Sequence, residues 1–591
     1  MIAIISGNYL RSGVLSPPKW LNLFSPTSTP RASRLWPLPS THSPKEVMAK
    51  AKEPSQWALK LCIGSESKLN LRSLPREMWI NVFESMESSS DLLKVVLTCK
   101  YFYSLAIRVL YRNIHWLGPF FYTQNVSFWK NHAPSVVLAP TSLTMAICLV
   151  NQMSYTRHDP TVGIVEEDGS WTVMPGAHHS TIPPPQSTYR NPHFSKKLTF
   201  YASQVMYDAI LKRVSSFTKL RELVFHLSEL PDTIFSTIKL LPCLKNLSIQ
   251  YCTLPAIDLE PDPSFSELPL TELTLWFNKG EPDTVSKSNW VYTLYLCTAK
   301  NLRTLRVDWT STTGRFLSQR NPIAPIAPLR TLTEVAIRFP PGKLWLSDED
   351  EKAANDPLTA FLLGSPSIER FSCVNRRFQF RFPATVLSKL NFCCGGAASV
   401  VGLLNSRPVE HVQLSDVERD LAGVVHTLQK IARLKPHLQT LSFSMHKWDE
   451  EILYALVDLF ADVRKLRIKF TAGFIQEQSL LSLGARFLYR FPQLETLQLY
   501  QIPSPSPDAG DHHASPLSRV KQIPHIEVLP RNAPADDDDA VKEFLSAWRR
   551  SCPSLRQVQL TERFVWRRAF NGDEWCKRPA IPSASKISEL S

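Results

Sequence analysis

The sequence predicts an α/β repeat fold, in which a short module of helices precedes a long and irregular solenoid of strands and helices. Two patterns indicate this fold. Between Leu74 and Ile114 the apolar residues have the spacing of three short helices, and later in the chain an apolar-x-x-apolar-x-apolar pattern keeps recurring. The length of 591 residues exceeds what one hydrophobic core usually supports, but it suits a stack in which each repeat contacts only its neighbours.

The helical module begins at Pro75, because a fixed φ angle and a missing N–H are tolerated in the first turn of a helix. The apolar face of this first helix consists of Met78, Trp79, Val82, Phe83 and Met86. Serines interrupt the pattern, and Ser90 or Asp91 is expected to cap the second helix. The third helix has apolar positions at Phe102, Leu105, Ala106, Val109 and Leu110. So small a core is marginal by itself, which favours a partner surface.

Residues 69–116 resemble an F-box domain, the module that docks on a Skp-type adaptor in SCF-type cullin–RING ubiquitin ligases. The matching positions are Leu74, Pro75, Glu77, Val82, Phe83, Met86, Asp91, Leu92, Cys99, Phe102, Leu105, Ala106, Leu110 and Tyr111. Two departures are mild, since Val82 replaces Ile and Phe102 replaces the commoner Trp. The alternative interpretation is a plain three-helix subdomain of a larger fold.

The resemblance implies that apolar residues of the module contact the adaptor. The candidates are Leu74, Pro75, Met78, Val82, Phe83, Met86 and Leu92. Some of them must instead pack the three helices together, and the sequence alone does not separate the two groups. If Leu74 and Pro75 are covered, the alternative is a repeat scaffold outside the ligase system, with a vestigial F-box that only caps the solenoid.

The recurring pattern in the rest of the chain has the period of two that a strand requires. It occurs as LRELVF (220–225), LKNLSI (244–249), LTELTL (270–275), LRTLRV (302–307), LTEVAI (332–337), IERFSC (368–373), LSKLNF (387–392), VEHVQL (409–414), LQTLSF (438–443), VRKLRI (463–468), LETLQL (494–499) and LRQVQL (555–560). Leucine-rich repeats join a strand and a helix in about 20–29 residues. The chain therefore resembles the leucine-rich-repeat F-box proteins, in an irregular form familiar from fungal sequences, and the resemblance implies a horseshoe.

In such a horseshoe the strands line the concave face, where a substrate protein is expected to bind. Alternation along each strand selects the side chains that point away from the core. The candidate substrate-binding residues are Trp276, Arg306, Arg338, Arg467, Lys469 and Tyr500. Together with a net charge of +14, the arginines and lysine predict an acidic or phosphorylated substrate. The alternative is that these positions are polar simply because they are wet.

Nucleic-acid binding is the other explanation of the positive charge. The sequence has no dense basic stripe, RNA-binding aromatic motif or zinc finger, so a nucleic-acid partner is not expected.

The expected organisation has five regions. Residues 1–68 form a disordered, Ser/Pro-rich N-terminus, and Met48 is an alternative start. After the F-box at 69–116, residues 117–198 form a linker with a candidate first repeat strand and a Pro-rich loop. Residues 199–563 form the solenoid, with a loop insertion at about 504–540, and residues 564–591 form a tail.

No catalytic motif such as a P-loop, GxSxG or HExxH is present, so the chain is predicted to be a non-catalytic adaptor. No cofactor or metal is expected, because His178-His179 and His512-His513 have no second ligand pair at a zinc-like spacing. Eleven scattered cysteines indicate reduced thiols, and no apolar run is long enough to span a membrane. The expected location is the cytoplasm or nucleus, without a membrane partner.

Overall fold

A computed structural model gives the fold of the chain. It describes residues 74–116, 138–146, 162–165, 171–173, 199–254, 263–276, 292–318, 329–339, 348–374, 380–502, 537–568 and 574–580, apart from single-residue gaps at 87, 203, 227, 229, 381 and 419. The expectations for residues 1–68, for the two His-His pairs and for most of the 504–540 insertion lie outside these residues. The chain divides into two compact units, Met1–Leu143 and Thr144–Ser591.

The first unit contains helices α1 (Arg76–Glu84), α2 (Ser89–Thr98) and α3 (Lys100–Leu110), followed by strand β1 (Asn113–Trp116). Pro75 immediately precedes α1, as predicted. The cap of α2 differs from the prediction, because the Ser88 hydroxyl accepts a hydrogen bond of 3.2 Å from the backbone N–H of Asp91. The observed cap therefore lies two residues before Ser90, the earlier of the two predicted caps, and α2 begins at Ser89.

Strands dominate the second unit. Strand β2 (Ser142–Met145) spans the boundary between the two units. A small three-stranded sheet follows, with β3 (Val162–Val165), β4 (Trp171–Val173) and β5 (Thr199–Ala202). The long sheet then continues with β6 (Glu222–His226), β7 (Asn246–Gln250), β8 (Glu272–Trp276), β9 (Thr304–Asp308), β10 (Glu334–Arg338), β11 (Arg370–Val374), β12 (Phe392–Gly395), β13 (His411–Glu418), β14 (Thr440–Lys447), β15 (Lys465–Ala472), β16 (Thr496–Gln501), β17 (Gln557–Gln559), β18 (Phe564–Arg568) and β19 (Trp575–Pro579). From β6 to β19 the spatial order of the strands follows the chain order, and the pairs from β6 to β17 are parallel.

Helices connect many of these parallel strands. They are α4 (Gln204–Ser215), α5 (Ile234–Lys239), α6 (Ser311–Ser318), α7 (Asp348–Leu363), α8 (Ala397–Leu404), α9 (Leu421–Leu434), α10 (Glu451–Leu459), α11 (Glu477–Arg486) and α12 (Asp537–Ser551). Short 3₁₀ helices lie at Pro263–Glu267, Tyr295–Thr298 and Leu488–Arg490. Parallel strands need a crossover connection of this kind, so the strand–helix alternation follows from the topology.

The register of the strands separates an apolar face from a polar face. Leu223, Leu247, Leu273 and Leu305 are register partners in successive strands, and all are fully buried. In each strand the residues that alternate with the buried positions form the opposite, polar face. Its first row of register partners is Val224, Ser248, Thr274 and Arg306. The alternation predicted from the sequence therefore describes the sheet, in which one face forms the core.

Two stretches differ from the sequence prediction. LSKLNF lies ahead of its strand, because β12 begins at Phe392 and the buried ladder position is Cys393, opposite Phe371. Leu390 follows Leu387 by three positions, so either leucine fits the start of the pattern and only strand pairing decides between them. The expected tail after residue 563 instead forms β18 and β19, which are antiparallel to their neighbours.

Candidate adaptor-binding surface and polar face of the repeats

Helix α1 and the residue pair before it carry an exposed apolar stripe. Leu74, Met78 and Val82 are spaced by four residues, which places them on one face of a helix. Their exposed fractions are 39%, 51% and 43%. Pro75 is exposed beside them. We call Leu74, Met78 and Val82 the apolar stripe; large apolar side chains in this arrangement suit a protein partner better than water.

Two of the other candidates lie in the core of the helical module. Phe83 is 2% exposed and Leu92 is 3% exposed. The Phe83 ring meets Phe102 edge-on with centroids 5.4 Å apart, and Trp79 lies 4.8 Å from Phe102. Phe102, one of the two residues that depart from the family pattern, thus joins α3 to α1. Phe83 and Leu92 therefore position the apolar stripe, since burial leaves them no open face for an adaptor.

The remaining candidate and one further residue flank this core. Met86 is partly buried at the end of α1. Leu97 on α2, which is not among the candidates predicted from the sequence, is 46% exposed. The signal was available, because Leu92 and Val96 define the buried side of α2 and leave Leu97 on the opposite side.

Polar contacts at the ends of the helices complete the module. Arg112, which follows α3, forms an ion pair of 3.0 Å with Glu84 at the end of α1. A hydrogen bond of 2.6 Å from Lys94 lowers the pKa of Asp91 in the first turn of α2. Both pairs are solvent-exposed, so each stabilises the module by no more than about 1 kcal/mol.

On the polar face of the repeats, Arg338 is occupied by an internal partner. Its guanidinium donates two hydrogen bonds to the Asp308 carboxylate, from Nε to Oδ1 at 2.6 Å and from Nη2 to Oδ2 at 2.5 Å. The two side chains are 4% and 6% exposed. The expectation that Arg338 reads an acidic substrate is therefore corrected, because its charge is already paired and buried.

The other predicted substrate residues divide between buried and partly open positions. Trp276, Lys469 and Tyr500 are buried, with exposed fractions of 1%, 8% and 5%. Trp276 is the last residue of β8 and Tyr500 is the last but one of β16, whereas Lys469 lies inside β15. The sequence prediction of an open side chain is wrong at all three positions. Arg306 and Arg467, in the middle of their strands, are partly exposed.

Charges on the polar face of strands β8 to β11 balance one another. Arg306 forms an ion pair of 2.8 Å with Glu334, and Arg370 approaches the other oxygen of Glu334 at 3.4 Å. The charged polar-face positions of these strands are three acids, Glu272, Asp308 and Glu334, and three arginines, Arg306, Arg338 and Arg370. This part of the sheet therefore offers no net charge to a partner.

Strands β14 to β17 differ in residue type, because three basic residues of β15, Lys465, Arg467 and Lys469, share the polar face with hydroxyl and amide residues of the neighbouring strands. Lys465 is exposed at the start of β15, two residues before Arg467. Arg467 donates a hydrogen bond to the Gln498 side chain, and Gln498 donates one of 2.8 Å to Gln559. Lys465 has the same alternation as Arg467, so the sequence signal that selects Arg467 applies to Lys465 as well.

The protonation of His411 reflects this environment. Burial lowers the pKa of His411, and the positive charges of Lys465 and Arg370 lower it further, against the opposing effect of Glu410. Its Nδ1 atom lies 2.8 Å from the Thr440 hydroxyl on the next strand. His411 is therefore a neutral hydrogen-bonding residue near pH 7.

Two buried cysteines, Cys297 and Cys393, hold their thiols in the protonated form. Burial raises the pKa of Cys297 to about 12 and also raises the pKa of Cys393. Since the thiolate is the nucleophilic form, neither cysteine is suited to catalysis. Across the ranges that the structure describes, no helix combines the length and apolar character needed to cross a membrane.

Comparison with known proteins identifies the helical module. A family model described as F-box-like matches residues 71–115. This confirms an F-box-like domain at the position predicted from Leu74 to Ile114. No curated protein matches the chain.

Solved structures with partial likeness are leucine-rich-repeat proteins. A plant peptide hormone receptor, RGFR1 in complex with RGF2, shares 11% identity over 49% of this chain and 45% of its own, with a TM-score of 0.19. The internalin inlF of Listeria monocytogenes shares 14% identity over 53% of this chain and 71% of its own, with a TM-score of 0.20. Human 5T4 shares 15% identity over 43% of this chain and 70% of its own, with a TM-score of 0.18. This chain spans less than half the length of the plant receptor, and the fold description rests on the strand register given above.

Proposed function

We propose that this protein is the substrate-recognition subunit of an SCF-type cullin–RING ubiquitin ligase. The F-box docks on a Skp-type adaptor, and the repeat array, a horseshoe with the polar face on its concave side, holds a substrate protein. The chain itself performs no catalysis. It raises the effective concentration of a substrate lysine beside the activated ubiquitin that the ligase carries. This function requires the cytoplasm or nucleus.

The observation that carries the proposal is the apolar stripe inside the F-box-like match. Leu74, Met78 and Val82 are exposed, whereas Phe83, on the other side of α1, is buried against Phe102. A helix with large apolar side chains on two sides buries one side in its own domain, and the exposed side then suits a protein partner. Direct adaptor contacts are therefore assigned to Leu74, Pro75, Met78 and Val82, with Leu97 as a further contact.

The experiment is co-purification of the full chain with a Skp-type adaptor. The double variant Met78→Ala/Val82→Ala should lose the adaptor, since apolar anchors at an interface contribute about 2–4 kcal/mol each. Its matched control is Leu240→Ala/Leu363→Ala, which truncates two exposed leucines of the repeats and should retain the adaptor.

Circular dichroism must show that all these chains are folded. A folded wild-type chain that does not bind the adaptor would overturn the proposal and leave a non-ligase repeat scaffold with a vestigial F-box. Equal binding by the stripe variant and the wild type would overturn the assigned surface.

A further inference from the structure

The residues that immediately precede the parallel strands form a row across one end of the long sheet. The carbonyl oxygen of Arg221 accepts hydrogen bonds of 2.8 Å from the backbone N–H groups of both Lys245 and Asn246. This bonding pattern repeats from strand to strand, so that neighbours in the row are about 4.8 Å apart. Ahead of β6 to β10 the row consists of Arg221, Lys245, Thr271, Arg303 and Thr333.

Basic residues dominate this part of the row, and they are exposed. Arg221, Lys245 and Arg303 each precede a buried leucine of the core by two positions, so alternation places them on the core side of the sheet, just beyond the end of the core. Two further exposed basic residues, Lys219 and Arg330, lie in the turns that lead into β6 and β10. We call Lys219, Arg221, Lys245, Arg303 and Arg330 the basic rim.

The charges of the basic rim are not paired internally. None of its five side chains forms a hydrogen bond or an ion pair with another residue in the part of the chain that the structure describes. Lys300 lies at the same end of the sheet, but it is not counted because it forms an ion pair with Glu267. Glu222 and Glu272 follow the row by one residue, and alternation places them on the polar face. Five basic residues against two acids leave this end of the sheet positively charged.

The positive charge is confined to the first five strands of the parallel series. The row continues ahead of β11 to β17 with three acids, two amides and two arginines, which are Glu369, Asn391, Glu410, Gln439, Arg464, Glu495 and Arg556. Acids and bases therefore alternate along the rest of this end, and the basic rim is a local feature of the array.

We propose that the basic rim binds an extended segment of a partner protein that is rich in Asp and Glu. Charge complementarity selects an acidic partner, and a guanidinium pairs with a carboxylate through two parallel hydrogen bonds. Strands β6 to β10 cover four spacings of about 4.8 Å, ~19 Å in all, which is the length of about six extended residues. The inference goes beyond the proposed function, because the rim is separate from both the polar face and the F-box.

An acidic polypeptide fits this surface better than a single-stranded nucleic acid or a membrane. Sequence-independent nucleic-acid sites add exposed aromatic rings on which bases stack, and helices that lie in a membrane surface insert an apolar face. Among the described residues between 199 and 339, the one large apolar side chain that is exposed belongs to Leu240. The basic rim therefore offers charge without a stacking platform or an apolar face to insert.

The test measures peptide binding by the full chain without an adaptor. The probe is a fluorescein-labelled ten-residue peptide of alternating Glu and Ser, read by fluorescence anisotropy, and a Gln/Ser peptide of equal length is the neutral comparison. We expect the Glu/Ser peptide to bind, with weaker binding at high salt because ions screen the attraction, and the Gln/Ser peptide to fail.

Substitutions in the row locate the site. Arg221→Glu/Lys245→Glu should weaken binding at least about tenfold, because two attractive charges become repulsive. Arg221→Gln/Lys245→Gln removes the charges without adding acids, and it should weaken binding by a smaller factor. The matched control Lys430→Glu/Arg433→Glu changes the net charge as much as the first variant, at two exposed positions of α9, and should bind like the wild type.

Circular dichroism must show that each chain is folded, and the glutamine variant carries the test if the glutamate variant is not. The inference is overturned if the Glu/Ser peptide does not bind, if the Gln/Ser peptide binds equally well, or if the folded rim variants keep wild-type affinity. It is also overturned if oligouridylate or phosphatidylserine vesicles bind more tightly than the Glu/Ser peptide and lose binding in the rim variants. Since these samples contain no adaptor, failure here leaves the proposed ligase function intact, and failure of adaptor docking leaves the rim intact.

Discussion

Arg338 and Asp308 are register partners on adjacent strands, and their side chains form a buried, two-hydrogen-bond ion pair between β10 and β9. Because the two side chains bond to each other across adjacent repeats, they link the repeats and are not available to a partner. This pairing also explains why a basic residue on this face is not by itself a substrate contact.

Removal of one partner of this pair should be strongly destabilising. Asp308→Asn leaves the Arg338 charge buried without its counterion, for which we expect a loss of about 3–5 kcal/mol and a lower melting temperature. The double variant Asp308→Leu/Arg338→Met removes both charges and should recover much of the loss. Thermal melting of the wild type and the two variants gives the comparison, and equal losses in the single and double variants would contradict the paired assignment.

Truncation of two adjacent residues of α1 should change the stability of the helical module by very different amounts. Phe83→Ala opens a cavity against Phe102 and should destabilise the helical module by about 3–5 kcal/mol. Val82→Ala removes an exposed side chain and should change stability by less than about 0.5 kcal/mol. Hydrogen exchange of α1 to α3 measures both effects. A loss of protection in Val82→Ala comparable with that in Phe83→Ala would show that Val82 supports the core.

Arg407 should be essential to the segment between β11 and α8. Its guanidinium is buried and donates to the carbonyls of Val386, Leu403, Asn405, Phe382 and Pro383 at 2.9–3.4 Å. Arg407→Met leaves these carbonyl oxygens without their hydrogen-bond donor. At about 1 kcal/mol for each buried unsatisfied group, the free energy of unfolding should fall by an amount on the order of several kcal/mol. Melting temperature is the measurement, and Arg433→Met, at an exposed position, is the control. A loss no larger than that of Arg433→Met would contradict the role.

Stability should fall with moderate acidification. Burial lowers the pKa of both His226 and His411 from the ordinary value of 6.5. As the pH falls below about 6.5, the unfolded chain takes up protons on these side chains before the folded chain does, so the free energy of unfolding decreases. Their stabilising contribution is complete above about 6.5 and is lost towards the lower folded-state pKa values.

Melting temperatures between about pH 7.5 and about pH 5.5 test this dependence. The double variant His226→Gln/His411→Gln should flatten the curve, whereas the exposed His446→Gln should leave it unchanged. An equally steep curve in the double variant would assign the effect to other groups.

The sequence was sufficient for the features that depend on local spacing. Pro75 and the apolar positions that follow it located the F-box-like module, and alternation in segments such as LRTLRV predicted which residues share a face. It did not predict burial on the polar face, because that depends on the residue in the next strand. Nothing near Arg338 in the sequence shows that Asp308, 30 positions earlier, is its partner.

Two further differences arise from signals too short to read alone. Ser88, Ser90 and Asp91 are all suitable caps, and the actual start of α2 selects Ser88. The strands Phe564–Arg568 and Trp575–Pro579 are brief and rich in arginine and lysine. They join the sheet in antiparallel pairs, β18 with β17 and β19 with β18, so the pattern of the parallel repeats gave no indication of them.

The reversal of strand direction at β18 and β19 determines how this array could change over time. Parallel repeats can be duplicated or lost between β6 and β17 while the neighbouring registers stay intact. The antiparallel hairpin, whose last strand carries Lys577 and Arg578, ends that series with a charged border of the kind that discourages strand addition. The array should therefore vary in length from within, and its final two strands should act as a terminator that limits both repeat number and end-to-end polymerisation.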